Sequence, residues 1–250
     1  MAEALLETAG LTRLFGGLAA VQDVALSVQR GEVHAIVGPN GAGKTTLINL
    51  LSGDLKPSAG SVRYRGRDIT GWPAHKVAHL GIGRSYQKTN IFRDYTAFEN
   101  CWLAAQARLP GAMDMLRPAA GRKPARDRAA KALEQCGLAD RAQRRAAELS
   151  YGEQRQVELA MLLAAEPELL LLDEPLAGMA PEEGAGVLAL LKRLAEGHTL
   201  VMIEHDMDAV FAIAQRVTVM VNGRVLASGA PDEIRANPQV QEAYLGEAAP

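Results

Sequence analysis

Residues 33–46 read VHAIVGPNGAGKTT, and the helical-looking KTTLINLLSG continues from Lys44. The β-branched VHAIVG favours a short buried strand. Over Gly38–Thr45 the turn satisfies G-x-x-x-x-G-K-[ST], and its place between a strand and a helix is the context that makes the pattern a site. Gly38, Gly41 and Gly43 let the backbone curl so that N–H groups point at phosphate oxygens. The following helix N-terminus adds a favourable dipole. Lys44 is placed for the β- and γ-phosphates of a nucleotide and Thr45 offers a hydroxyl to Mg²⁺. Asn40 and Thr46 complete the loop. A glycine turn that merely capped a helix would leave the lysine without a reason.

Residues 169–174 read LLLLDE. Four leucines suit a strand buried on both faces, as in the centre of a parallel sheet. Two acids then emerge at its carboxyl end, where open α/β sheets bind ligands. Asp173 is the natural partner of the nucleotide's Mg²⁺, directly or through water. Glu174 points elsewhere and can orient or deprotonate an attacking water. Behind a phosphate loop, the pair reads as the acidic half of a nucleotide-hydrolysis site.

Strands and helices alternate around these motifs. Residues 21–29 read as a strand, and DLKPSAGSVRYRGRDIT (54–70) as an antiparallel hairpin. A helix is expected over 72–80 and a strand entering a loop over 81–87. From about 95 to 165 the chain is rich in Ala, Leu, Arg and Glu with helical periodicity. Within it, RLPGAMDMLRPAAGRKPARDR (108–128) predicts a loose connection whose basic residues form a solvated face. Strands are then expected at 168–173, 199–203 and 217–221, and helices near 182–196 and 207–215. An Asn222–Gly223 hairpin turn and two short helices near 231–236 and 239–245 close the chain. The pattern predicts an α/β fold with a P-loop nucleotide hydrolase core, an antiparallel β subdomain within 1–94, an inserted α-helical subdomain over 95–165, and the second part of the core over 166–250.

Composition narrows the class further. With 27 Lys plus Arg against 29 Asp plus Glu, the formal net charge is -2, which does not indicate a surface for duplex DNA. Cys101 and Cys136 match no metal spacing and suit a reducing compartment. MAEALLETAG lacks the basic region and apolar core of a signal peptide, and no apolar run approaches ~18 residues. A soluble protein is expected, reaching any membrane through a partner.

Further stretches, in order with the two motifs above, resemble the nucleotide-binding subunits of ATP-binding-cassette transporters over almost the whole chain. LSYGEQ (149–154) looks like the family's signature sequence, and Gln87 in RSYQ like the glutamine of the loop that meets the membrane partner. His205 in IEHDMD matches the switch histidine, and Ala177, Gly178 and Met179 lie where the family has its D-loop. Phe15 matches the aromatic that stacks on adenine, with Val21 beside the base. HLGIGRSYQKTNIFRDYTAFEN and LLLLDEPLAGMAPEE, among other stretches, are similar to the branched-chain (hydrophobic) amino-acid importer ATPases. Importers for urea, short amides or aromatic acids look similar as well.

The resemblance implies ATP and Mg²⁺ as cofactors, with Thr45, Gln87 and Asp173 serving the metal and Glu174 and His205 the catalysis. It implies two transmembrane permease subunits, a second cassette ATPase subunit or a second copy of this one, and indirectly a periplasmic solute-binding protein, with no nucleic acid. The subunit would sit peripherally on the cytoplasmic face of a bacterial inner membrane. Ser150 and Glu153 form a capping box, S-x-x-E, on their own. In the family, two cassettes close head to tail, so Ser150, Tyr151, Gly152 and Glu153 would also cap the γ-phosphate held by the partner's loop. Tyr151 and Glu153 depart from the commoner LSGGQ form, and AGMA lacks the aspartate of many D-loops, so two paired sites need not hydrolyse equally. The rival classes are a cassette ATPase acting on nucleic acid or ribosomes, and a subunit that binds ATP without hydrolysing it.

Overall fold

The structure, a computed structural model, describes residues 4–109 and 123–245. Four consecutive leucines in one strand need apolar cover on both faces, and the architecture supplies it. β7 (Leu169–Asp173) lies in a six-stranded sheet with β3 (Val33–Val37), β6 (Ile82–Arg84), β8 (Thr199–Ile203), β9 (Arg216–Val221) and β10 (Arg224–Gly229). The order is β10-β9-β3-β8-β7-β6, parallel throughout except where β9 meets β10. Leu170 and Leu172 pack with Ala35 and Met202 in the core on one face, together with helical residues. Leu169 and Leu171 pack with Ile36 and Val201 in the other, against α1 (Lys44–Leu51) and a second sheet. Burying each leucine contributes roughly 2 kcal/mol, so the alternating faces of β7 tie both layers together.

The second sheet is antiparallel, in the order β2-β1-β4-β5. β4 (Ala59–Tyr64) and β5 (Arg67–Asp68) form the expected hairpin. The amino-terminal half of this sheet corrects the reading of the sequence. β1 (Ala4–Phe15) is a strand that the pattern did not indicate, and β2 starts at Leu18 rather than 21 and runs to Gln29. The pairing of β1 with β2 shifts register between Thr8 and Leu11, where Gly10 has a φ of 60°. The shift breaks the period-two alternation by which a strand is read. Thr8 also faces inward, donating from Oγ1 to the Val24 carbonyl at 3.0 Å and accepting from the Leu26 N–H at 2.9 Å.

A helical layer covers the other face of the six-stranded sheet. α2 (Ala74–His79), which precedes β6, instead buries Val77 in the core shared with α1 and the antiparallel sheet. α3 (Ala97–Ala107) opens with a capping box between Thr96 and Glu99. α4 (Lys123–Gln135) turns Ala125, Ala129, Ala132 and Leu133 inward, and the three alanines let it approach closely. The loose connection expected before it lies mostly outside the described residues, as do 246–250. α5 (Tyr151–Ala164) runs from the signature turn toward β7. α6 (Pro181–Ala195) starts with proline in its first turn and α7 (Met207–Ile213) is capped by Asp206. α8 (Pro231–Arg235) and α9 (Pro238–Leu245) end the described chain. Cys101 and Cys136 are both buried, and burial pushes the Cys136 thiol up to about 12 and Cys101 higher still. Among the described residues no helix is long and apolar enough to cross a membrane.

Candidate functional site

The phosphate loop is shaped by backbone from two other strands. Gly38 has a φ of 146°, and a Cβ there would lie 2.1 Å from the Met220 carbonyl oxygen of β9. Gly43, with a φ of 98°, caps α1, and its Cβ would lie 2.2 Å from the Ala20 carbonyl oxygen of β2. No side chain fits at either place. The loop opens on a cleft of about 250 Å³ lined by residues 40–46, by Ala20 beside Gly43, and by Gln87 and Glu174. The Lys44 ammonium donates to the carbonyls of Gly38 and, at 2.9 Å, Pro39, which holds the charge beside the loop.

The two acids at the end of β7 occupy different environments. Asp173 is 1 % exposed, and its Oδ1 is buried without a hydrogen-bond partner. Its Oδ2 lies 3.9 Å from Arg84 Nη2. Burial pushes this carboxyl above the ordinary range, opposed by the Arg84 charge and reinforced by that of Glu174. Glu174 adopts a φ of 49°, the left-handed region that a non-glycine residue seldom enters. Its N–H donates to the Ile203 carbonyl at 3.0 Å, and its Oε2 accepts from Gln87 Nε2 at 3.2 Å. Gln87 and Glu174 are thus joined by a side-chain hydrogen bond at the wall of the cleft.

His205 follows the end of β8, two residues beyond the Ile203 carbonyl that holds Glu174. Its imidazole is 66 % exposed, its ion-pair neighbour is Glu204 at 4.0 Å, and no hydrogen bond or ion pair joins it to Glu174. The buried Glu204, which the sequence reading passed over, accepts the Leu176 N–H at 2.9 Å and so anchors the start of the D-loop. The D-loop is turned back by the Ala177 N–H, which donates to the Glu174 carbonyl at 3.1 Å.

The signature turn has the expected capping box. Ser150 Oγ accepts from the Glu153 N–H at 3.2 Å, and Glu153 Oε2 accepts from the Ser150 N–H at 2.9 Å. The turn also holds an anion of its own chain. Ser150 Oγ donates to Glu183 Oε1 at 3.0 Å, and the Gly152 N–H donates to the same oxygen at 3.3 Å. Tyr151 lies beside Gly178 of the D-loop, where a Cβ would be 3.7 Å from its ring. None of residues 150–153 lines the phosphate-loop cleft.

Phe15 is 46 % exposed, with the Arg13 guanidinium 4.7 Å over its ring. Val21 requires a correction. It is fully buried in the core beneath the antiparallel sheet and offers no surface to a base. It points to the covered face of β2, whose opposite face leaves Asp23, Ala25 and Ser27 exposed. The sequence reading also missed Arg155 and Glu158, which are 2 % and 5 % exposed. Their signal was a charge pair three residues apart on α5, interrupting the apolar series Val157, Leu159, Ala160 and Leu163.

Residues 21–177 match the ABC transporter family, and residues 224–250 match the family described as branched-chain amino acid ATP-binding cassette transporter. The chain is 42% identical over 255 residues to the high-affinity branched-chain amino acid transport ATP-binding protein LivG of Salmonella typhimurium, covering 99% of this chain and 100% of the relative. It is similar to the ADP conformation of an ATP-binding cassette of an ABC transporter, with a TM-score of 0.86 at 31% identity, covering 98% and 100% of the two chains. It is also similar to a dimeric post-hydrolysis cassette bound to ADP and Pi, with a TM-score of 0.77 at 27% identity over 90% of this chain and 98% of the other. The strand-and-loop geometry, the split between phosphate loop and signature turn, and these similarities agree: the chain belongs to the ABC transporter family, as one of its nucleotide-binding ATPase subunits.

Proposed function

We propose that this chain hydrolyses ATP to energise a multisubunit importer of branched-chain or other hydrophobic amino acids. The observation that carries the ATPase half is the cleft in which the Lys44 loop faces the Gln87–Glu174 pair. The substrate class rests on the similarity to LivG along the full chain and on the carboxyl-terminal family match.

In the proposed reaction, ATP and water give ADP and phosphate. The N–H groups of residues 40–46 and the Lys44 ammonium hold the phosphates. Binding moves Lys44 from the Gly38 and Pro39 carbonyls to the γ-phosphate. The Glu174 carboxylate orients the attacking water and takes its proton, and Gln87 keeps that carboxylate turned into the cleft. Thr45 and Asp173 suit Mg²⁺, since both offer hard oxygen donors and Asp173 Oδ1 is buried without a partner. When bound, the ion neutralises charge on the β- and γ-phosphates. His205 reaches the γ-phosphate after a rotation toward the cleft, and Phe15 offers an open ring to adenine.

The second half of the site is supplied in trans, by the signature turn and D-loop of another cassette. The permeases dock beside Gln87. A groove of about 270 Å³ runs there between α2, α3 and α5, and Tyr86, Phe92 and Tyr95 are exposed on the adjoining loop. Residues 95–165 form the helical unit that transmits closure to them. This arrangement keeps the subunit peripheral, on the cytoplasmic face of the membrane.

The test is purification of the tagged subunit from native membranes in mild detergent, with mass spectrometry of stoichiometric partners. Two polytopic permeases and a second cassette chain are expected, and labelled leucine uptake should fall when the subunit is deleted. Recovery of only ribosomal or nucleic-acid-bound proteins would refute transport. Loss of urea or aromatic-acid uptake in place of leucine would reassign the substrate.

A further inference from the structure

Arg155 places an almost fully buried guanidinium between the two segments that form the reacting end of the cleft. Its Nη1 donates to the Tyr86 carbonyl at 2.8 Å and to Glu158 Oε2 at 2.7 Å. Its Nη2 donates to the Gln87 carbonyl at 2.9 Å and to the Glu174 carbonyl at 3.2 Å. Glu158 Oε1 in turn accepts the Tyr86 and Asn90 N–H groups at 3.4 and 3.3 Å. The ion pair keeps the buried charge balanced. Three of the four acceptors of Arg155 are main-chain carbonyls, all in the Gln87 and Glu174 segments. A side chain serving only to fill the core would have no reason to select them.

We infer that Arg155 is a positioning residue for hydrolysis, fixing the backbone of Gln87 and Glu174 so that their side chains meet at the wall of the cleft. The inference rests on the assignment of those two residues to the reacting site. The Glu174 backbone needs such a support, because its φ of 49° is unfavourable for a side chain with a Cβ. A planar fork, with donors splayed over two terminal nitrogens, suits carbonyls on two separate segments better than the compact ammonium of lysine. The placement on α5 adds a consequence. The helix begins at the signature turn, and Arg155 lies little more than one turn, about 7 Å, further along it. A phosphate that engages the turn from a partner cassette therefore acts on the same rigid element that holds Gln87 and Glu174 of this chain.

The test compares Arg155→Lys with Arg155→Ala, each alone and combined with Glu174→Gln. Hydrogen exchange is followed in the purified subunit, and kcat and ATP affinity in the assembly in which the wild type turns over. Arg155→Lys is expected to keep its melting temperature within about 3 °C and its ATP affinity within about threefold, while kcat falls about 10- to 100-fold. Amides of 86–90 and 174–177 should exchange about tenfold faster, with β3 and β8 unchanged. In the Glu174→Gln background the lysine variant should cause no further loss, because the two residues act as one unit. Unchanged kcat in a folded Arg155→Lys protein, unchanged exchange at those segments, or equal losses in both backgrounds would overturn the inference. Glu174→Gln retaining turnover is a separate result, which would remove the site assignment itself.

Discussion

Glu174 carries both a strained backbone angle and the carboxylate assigned to the water, and the two belong together. The left-handed conformation costs a non-glycine residue of order 1–2 kcal/mol, held here by hydrogen bonds to Ile203, Gln87 and Arg155. Glu174→Gln preserves the shape and removes the base. It should bind ATP with unchanged affinity while kcat falls about 10²- to 10³-fold; single-turnover hydrolysis with labelled ATP measures both. Gly43→Ala should do the reverse, abolishing binding, because its Cβ would meet the Ala20 carbonyl. A third residue-scale prediction concerns Glu32. Burial pushes its carboxyl up, but the His34 imidazole 3.2 Å away, the hydrogen bond from the Gln29 N–H and the charge of Arg216 hold it below the ordinary range. A lowered folded value means stability that is present above the unfolded value and lost as pH falls through the folded one. Glu32→Gln should therefore cost about 1–2 kcal/mol at neutral pH, with the difference shrinking as acid protonates Glu32 in both states. Urea unfolding across the acid range checks the sign.

Elements show where the sequence was legible and where it was not. The phosphate loop, β7 and the Ser150–Glu153 capping box could be read because each is specified by a few adjacent residues. Strand β1 could not, because the register shift at Gly10 and the inward Thr8 disguise its alternation. Val21 was misplaced at the base because a motif neighbourhood does not reveal which face of β2 is covered. Arg155 was missed because its partners lie 68 and 69 residues before it and 19 after it. Glu183 on α6 is a similar case. Its carboxylate satisfies the Ser150 hydroxyl and the Gly152 N–H of α5, the donors that the proposed function offers to a partner's γ-phosphate. The phosphate has to displace a like charge. Glu183→Gln should lower the ATP concentration for half-maximal association of Glu174→Gln subunits about three- to tenfold, read by light scattering. A higher requirement would show that Glu183 supports the turn instead of occupying it.

At the scale of the molecule, the chain holds two halves of a site that do not meet. Residues 40–46, Gln87 and Glu174 line one cleft, while the signature turn and Gly178 lie together elsewhere. One subunit can therefore cradle a nucleotide without enclosing it, and in the proposed function a second cassette in head-to-tail register encloses it. Symmetry makes this testable. A Lys44→Ala chain has a damaged loop and an intact signature turn; a Ser150→Arg chain has the converse. Each alone should be inactive. If the chain pairs with itself, an equal mixture forms mixed dimers in about half of its assemblies, each with one intact site and one doubly damaged. Activity should return to about a quarter of the wild-type value. Continued ATP-driven self-association without any recovery would refute completion in trans. Failure of both association and recovery, in a wild-type chain that binds ATP, would assign the second half of the site to a different cassette subunit. The same mixture with that subunit added should then restore turnover only through chains whose own loop is intact.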